Sequence, residues 1–456
     1  MKTAAPGRQR QAGRSADPSP GGGGRNRKEN RPASAAQDVL IAGGGMVGAS
    51  LAAALAPLPL QIAVVEAVAF GSRSQPSYDD RITAVSWGSR RIFESIGLWP
   101  QIAPEATPIQ HIHVSDRGHP GMTRLHAEEM GVTALGYVVP NRVIGRALAG
   151  FLAQQPHITL LAPAKLTAVQ TQGDGVVASV AGERVRTLQA RLLVAADGAN
   201  SQIRAQLGIA ARTWDYGQSA VICNVSVERP QAHTAFERFT ANGPLALLPM
   251  GEDRYALIWT AAGQRAQALL AMSDAEFLEA AAAAFNGRCG KFLKAGKRHA
   301  YPLSLVRADT QLRGRVVVVG NAAHSLHPIA GQGFNLSLRD VAALADTLAE
   351  SAGSGGDVGE QQRLAAYVRA RRRDQTGTTL FTDFLTRVFS NPLLPVVWAR
   401  NAGLLALELL PPVRQLLARH SMGLTSRMSR LARGAPLTAG NGVPGSLHPH
   451  NHGRVE

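Results

Sequence analysis

Apolar residues along this chain fall into two kinds of run. Short unbroken stretches, VLIA at 39–42, IAVV at 62–65, LLVAA at 192–196 and VVVV at 316–319, read as parallel strands buried on both faces. Glycine-bearing turns and stretches of helical period follow them, which is the rhythm of an open α/β sheet. Small residues after Gly45 predict a first helix ending before Pro57, and residues 84–98 read as an amphipathic helix with Ile92, Phe93 and Ile96 on one side. Residues 109–135 carry short alternating runs. A second loop-to-helix element follows, YVVPNRVIGRALAGFLAQQ, with Arg142 at the helix start and Leu148, Phe151 and Leu152 facing inward.

Runs at 158–161, 166–170 and 176–180 predict a β-meander turning at Gly173-Asp174-Gly175. Residues 212–304 then change character. Strand-like runs at 220–227, 233–240, 245–249 and 255–260, with hairpin-style spacers, precede a helix over 274–285, so an antiparallel sheet is inserted between parallel elements. Residues 341–375 and 378–432 read as helical, and the second stretch carries arginines 387, 400, 414, 419, 427 and 430 on an expected exposed face. The fold class predicted is α/β: a Rossmann-like domain over 38–105, 140–211 and 305–348, a substrate domain over 106–139 and 212–304, and a helical region over 349–433.

Charge changes this picture little. The formal net charge of +16 is 48 basic minus 32 acidic residues, and residues 1–37 hold eight Lys/Arg against two acids. Those residues are rich in Gly, Pro and Ser and are expected to be a disordered extension, as is the tail over 434–456. An Arg-rich, acid-poor start resembles an organellar transit peptide, but Gly21–Gly24 and the prolines break any amphipathic helix. No basic-aromatic alternation accompanies the charge, so no nucleic-acid partner is expected. Cys223 and Cys289 lack metal or redox spacing and imply a reducing compartment. With no apolar run of spanning length, a cytoplasmic location is expected, peripheral to the inner membrane if the basic C-terminal helices touch its surface.

Three glycine-bearing stations carry the chemistry. In the first, Gly43, Gly45 and Gly48 stand in GxGxxG spacing between strand and helix, and the next strand ends on Glu66. The glycines suit a tight turn, close approach of a pyrophosphate and close helix packing, while the acid suits a ribose diol. The second is Asp197-Gly198-Ala199-Asn200-Ser201 with Arg204 a helical turn on; its plain alternative is a helix cap. The third, GNAAHSLHPIAGQGFNLSLRD over 320–340, spends Gly320, Pro328, Gly331 and Gly333 in one loop. A helix starting near Gly333 would aim backbone N–H groups at an anionic ring such as a reduced flavin. An ordinary strand–loop–helix connection is the alternative. His324 and His327 at i, i+3 invite a metal, but no third ligand is spaced nearby, so none is expected.

In this order the stations resemble those of the FAD-dependent aromatic-ring hydroxylases of the p-hydroxybenzoate hydroxylase type. HPIAGQGFN followed by Asp340 looks like the ubiquinone-biosynthesis branch. SDRGH at 115–119, FERFTANGPLALLPM at 236–250 and AGKRHAYPLSL at 295–305 look most like 2-polyprenyl-6-methoxyphenol hydroxylases. Two departures stand out: Asn321 where the broader family has Asp, and Ser337 where the branch usually has Gly.

The resemblance implies FAD as cofactor. Gly43, Gly45, Gly48 and Glu66 would hold its ADP half, Arg142, Gly320 and Asn321 would lie near the pyrophosphate and ribityl chain, and Asp197, Gly198 and Arg204 would form the middle fingerprint. Arg81 would reach a phosphate or the flavin edge, and the loop containing Pro328, Gly331, Gln332, Gly333 and Asn335 would cradle the ring, with Pro328, Gly331 and Gly333 at the reacting centre. NAD(P)H would be a transient reductant, O2 and a lipophilic polyprenyl phenol the substrates, and other ubiquinone-biosynthesis proteins the partners. Ring oxygenation would proceed through a flavin C4a-hydroperoxide. Rival readings are a flavin-dependent reductase or halogenase, although the tryptophans never fall in WxW spacing, and a catalytically silent FAD-binding scaffold.

Overall fold

The computed structural model describes residues 37–70, 72, 81–240, 243–251, 253–326, 331–389, 391, 393–424 and 428–437. The expected N-terminal extension, except Gln37 which begins the first strand, nearly all of the C-terminal tail, His327, Pro328 and Arg427 lie outside the described residues.

The parallel sheet forms where the unbroken apolar runs predict it. Its strands are β1 (Gln37–Ala42), β2 (Ile62–Val65), β8 (Ile158–Leu161), β11 (Arg186–Ala195) and β19 (Val316–Val318), in the spatial order β19-β11-β1-β2-β8. All four neighbouring pairs are parallel. β18 (Leu312–Arg313) lies antiparallel at the β19 edge, and β9 (Lys165–Gln172) and β10 (Gly175–Ala181) extend β11 as a meander. The expected meander strand at 158–161 instead joins β2, because it follows a crossover helix, α4 (Asn141–Ala153), and so enters the sheet in parallel.

Helix α1 (Met46–Leu55) follows β1 and packs on α4 and on α8 (Gln332–Gly353). Leu51 and Leu55 are wholly buried there, and burial of this kind contributes about 1.5–3 kcal/mol for each side chain.

The second sheet has nine strands in the order β20-β17-β12-β15-β14-β13-β5-β6, with β16 (Phe292–Ala295) beside β12. Their ranges are β5 (His111–Asp116), β6 (Met122–His126), β12 (Ala211–Val227), β13 (Thr234–Thr240), β14 (Gly243–Pro249), β15 (Arg254–Ala262), β17 (His299–Ala308) and β20 (His324–Ser325). It is antiparallel except at β13–β5. One face carries α6 (Gly263–Ala271) and α7 (Asp274–Phe285) over a core of Tyr255, Phe277 and Phe285. Both cysteines are buried and free, and burial pushes the Cys289 thiol up to about 11.

A third, small sheet joins β4 (Thr107–Ile109), β7 (Gly136–Pro140) and β3 (Ile82–Ser86). Segment 106–139 therefore divides between two sheets. The helix expected from Ala84 begins only at Trp87, as α2 (Trp87–Ser95), because the β-branched residues before it pair with β7 and the Ser86 hydroxyl accepts the Ser89 N–H as an N-cap. The short helices α3 (Trp99–Ile102) and α5 (Gln202–Gln206) complete this half.

The C-terminal region comprises α9 (Gln361–Phe389), α10 (Leu394–Leu409) and α11 (Pro411–Ser421). Its polarity reverses the expected one. Arg400 is buried against Asp116, Nε to Oδ2 at 2.8 Å, Arg414 pairs with Glu129 and Arg430 with Asp346, while Leu394, Trp398, Leu409 and Leu416 face outward. Arg387 and Arg419 are exposed as expected. No helix among the described residues is long and apolar enough to cross a membrane.

Candidate active site

The three stations, more than a hundred residues apart in sequence, become neighbours because β19, β11 and β1 lie side by side and end together. Ala196 N donates to Ala42 O at 2.7 Å and Val319 N to Ala195 O at 2.9 Å, so all three loops leave the carboxyl edge of one parallel sheet, where such folds bind ligands. The glycine spacing is required by contact. A Cβ on Gly43, which has φ +100°, would lie 2.5 Å from Ala196 O, and one on Gly48 would lie 1.9 Å from Gly43 O. Glu66, buried at the end of β2, accepts from Gly44 N at 2.6 Å through Oε2 and from Val68 N at 2.9 Å through Oε1. A carboxylate has room for further donors, so this arrangement fixes the acid beside the loop and leaves capacity for a diol.

At the second station Asp197 Oδ2 accepts from Ile203 N at 3.2 Å, capping α5, while its buried Oδ1 has no protein partner. The structure shows the helix-start role and leaves Oδ1 open to a ligand. Arg204 clasps two stations, donating from Nη1 to Ala322 O at 2.7 Å and from Nη2 to Ala199 O at 3.0 Å. Gly198, with φ +86°, has open space where a Cβ would stand. Gly320, with φ +62°, sets its missing Cβ 3.0 Å from Val47 Cγ1, and Asn321 is exposed to the cavity that follows.

In the third loop Gly331, with φ +60°, is the N-cap of α8, and a Cβ on Gly333 would enter open space. Asn335 spends its whole amide on backbone: Oδ1 accepts from Ser86 N at 2.9 Å, and Nδ2 donates to Ala84 O at 2.8 Å and Gly331 O at 2.7 Å. Its contribution is to seat this loop on β3. Gln332 is buried and reaches toward the Ser421 carbonyl. Ser337 donates back to Gly333 O at 3.0 Å, within the helix and beside the cavity.

The expectations separate at the arginines. Arg81 lines the cavity and lies over the Tyr301 ring at 5.0 Å. Arg142 pairs with Glu105 at 2.8 Å on the outer side of α4, and it is Asn141, buried beside it, that accepts from Thr83 Oγ1. His324 Nε2 lies 2.6 Å from Asp340 Oδ2, within a buried chain that continues through Arg371 to Asp374 and Arg339. Burial opposes ionisation of Asp340, but the Arg371 guanidinium and His324 outweigh it and hold the carboxyl down at about 2. Among the described residues no His, Cys, Asp and Glu cluster has metal-holding geometry.

One continuous cavity of about 1360 Å³ joins all this to the second sheet. Its walls run from Met46, Asn321 and Gly331–Phe334, across Ala220, Ile222, Ala246 and Ile258, to Phe389, Val396 and Leu404 of the C-terminal helices. The lining is mainly apolar. Glu237 is its sole acid among the described residues, and the reading of the sequence passed over it. The available signal was an acid at the middle of an otherwise apolar alternation, Ala235, Glu237, Phe239.

The glycine cradle, the unpartnered Asp197 oxygen and the open space at Gly198 and Gly333 fit a dinucleotide with a flat ring at its end. Comparison with known proteins agrees. The FAD binding domain family matches residues 36–381. Ubiquinone hydroxylase UbiL of Rhodospirillum rubrum is 39% identical over 88% of this chain and 93% of its own. The 3-demethoxyubiquinol 3-hydroxylase of Escherichia coli is 33% identical over 85% and 98%. In fold, p-nitrophenol 4-monooxygenase PnpA of Pseudomonas putida superposes with a TM-score of 0.71 at 17% identity, over 86% of this chain and 99% of that one. The chain belongs to the FAD-binding-domain family, as a flavin-dependent monooxygenase among the ubiquinone hydroxylases.

Proposed function

We propose that this protein hydroxylates the aromatic ring of a polyprenylated methoxyphenol, converting 2-polyprenyl-6-methoxyphenol to the 1,4-benzoquinol in ubiquinone biosynthesis. The observation that carries the reading is the apolar cavity, whose wall includes both the glycine loop of α8 and Phe389, Val396 and Leu404 of α9 and α10. A compact ring fits beside the loop, and a long hydrocarbon tail needs the apolar remainder.

In this reading Gly43, Gly45, Gly48 and Glu66 hold the ADP half of FAD, Asp197 and Gly198 lie against its middle, and Gly331 to Gly333 lie beside the ring. Arg204, Asn335 and the His324–Asp340 pair act through the backbone they fix. Arg142 is assigned to Glu105 rather than to the pyrophosphate. Bound FAD supplies two-electron reduction by NAD(P)H and activation of O2. The protein orients the phenol, excludes water with its apolar walls and fixes the loop N–H groups where negative charge develops.

The outward apolar residues of α10 and α11 lie on the helices that also supply Val396, Leu404 and Leu417 to the cavity wall, and they support contact with a lipid surface from which a prenyl phenol would enter. The printed name of the Escherichia coli relative supports a second reading, hydroxylation at another ring position of the same pathway. Quinone intermediates in cells lacking the protein decide between them. Accumulation of 2-polyprenyl-6-methoxyphenol is expected, a demethoxy quinol would move the step, and a normal ubiquinone pool would remove the substrate.

A further inference from the structure

We propose that Glu237 receives the phenolic hydroxyl of the substrate ring and accepts its proton as the ring is oxygenated. This rests on the reading above. β13 presents Ala235, Glu237 and Phe239 to the cavity. Opposite Glu237 in the neighbouring strands stand Val114 of β5 and Ala246 of β14, and the row continues through Ile258 and Ile222. Cross-strand neighbours stand about 5 Å apart, so the carboxyl's direct neighbours are hydrocarbon, with the Arg400-paired Asp116 on the diagonal and Thr123 one strand beyond Val114. No hydrogen bond or ion pair engages its side chain among the described residues. Glu237 is half-buried and opens into the cavity, and an acid so enclosed is destabilising unless a ligand partners it.

Its place along the cavity suits a head group. On one side Ala235 packs with Val138, which pairs with Ala84, against which Gly331 lies. On the other side Phe239 stacks on Phe389 at 3.7 Å and packs with Leu404, where the C-terminal helices begin. A phenol bound at Glu237 therefore has the flavin loop ahead of it and an apolar channel behind it. Other charged or titratable groups on the cavity wall are Arg81, which lies over Tyr301, Tyr301 itself, and Arg400, which is committed to Asp116. None of them is bonded to Glu237.

Burial alone raises the carboxyl to about 7, where a general base is most effective at neutral pH. The phenol O–H bond breaks, a new O–H bond forms on the carboxylate, and the electron pair left on oxygen enriches the ring carbons that take up oxygen. The oxygen atom comes from O2, whose O–O bond breaks; its other atom leaves as water with two electrons drawn from NAD(P)H, and the ring hydrogen at the new C–O bond leaves as a proton taken up in that water. As the ring becomes aromatic again Glu237 returns its proton to the phenolic oxygen, so the residue ends as it began.

The test compares FAD-loaded wild type, Glu237→Gln and Glu237→Asp with 2-prenyl-6-methoxyphenol, NAD(P)H and O2. Expected are unchanged flavin absorbance, a loss on the order of 100-fold in product formation for Glu237→Gln, an acid limb near pH 7 in wild type, and loss of that limb in Glu237→Gln. Glu237→Asp is expected to recover part of the rate and retain a limb. Without O2, the ultraviolet difference spectrum of the bound phenol is expected to show ionisation or a strong hydrogen bond in wild type and neither in Glu237→Gln. Equal rates and limbs in the two proteins, or a wild-type profile flat across neutrality, would overturn the assignment. If Glu237→Gln loses its flavin, the wild-type profile and spectrum still decide. If wild type shows the spectral change but makes no hydroxylated product, the substrate reading fails and Glu237 stands as a phenol-binding group.

Discussion

The two walls of the cavity are built differently. On the parallel-sheet wall the ligand-facing groups are mostly backbone, and side chains such as Asn335 and Arg204 are consumed in holding that backbone still. On the antiparallel wall the lining is side chain, a field of Val, Ala and Ile broken by one acid that has no protein partner among the described residues. The first wall is finished before any substrate arrives; the second leaves a polar group for the substrate to complete. The shared cofactor thus gets a rigid seat, and specificity is left to residues that can vary without disturbing it.

The hardest test of this contrast is Gly48→Val. Its Cβ would fall 1.9 Å from Gly43 O, so the purified protein is expected to retain no flavin absorbance. An equally yellow variant would show the cradle to be loose. Next is Asp340→Asn, which removes one partner from a buried ion pair and is expected to cost about 3–5 kcal/mol in urea unfolding at neutral pH. The Asp340 carboxyl is held at about 2 when folded, against about 3.9 when unfolded. Its contribution is therefore whole above the unfolded value and drains away as pH falls toward the folded one, so the variant should lose less than wild type on acidification.

On the other wall, Ala246→Leu places a larger side chain beside Glu237. The expected outcome is a rise of at least about tenfold in KM for 2-prenyl-6-methoxyphenol with an unchanged flavin spectrum, since Leu adds three carbons and even one methylene in such a pocket is worth about 1–3 kcal/mol. The smallest effect on the fold belongs to Trp398→Ser. That residue is 71% exposed, so stability should change by no more than about 0.5 kcal/mol, while sedimentation with phospholipid vesicles should fall several-fold. Unchanged sedimentation would detach the helices from the lipid reading.

The same contrast explains what could be read in advance. Buried parallel strands and glycines at strand ends are local facts, so β1, β2, β19 and all three stations lay open in the sequence. The start of α2 was misplaced because 82–86 finds its partner, β7, fifty residues away, which no local period records. Arg400 was placed on the surface because helical spacing alone cannot show Asp116 waiting on β5. Glu237 was missed for a related reason. An acid in a strand reads as solvent-facing until the sheet curls over it, and only the assembled cavity shows that its surroundings are hydrocarbon.

The order of strands also governs when the protein can exist. β19, the neighbour of β11 on the side away from β1, arrives more than a hundred residues after it, and Arg204 cannot close on Ala322 until then. A nascent chain halted before Val316 carries an apolar strand with one flank bare, the sort of edge that recruits other chains. A coenzyme held by all three loops can be captured only once Gly333 has been made, which sets its loading late in biogenesis.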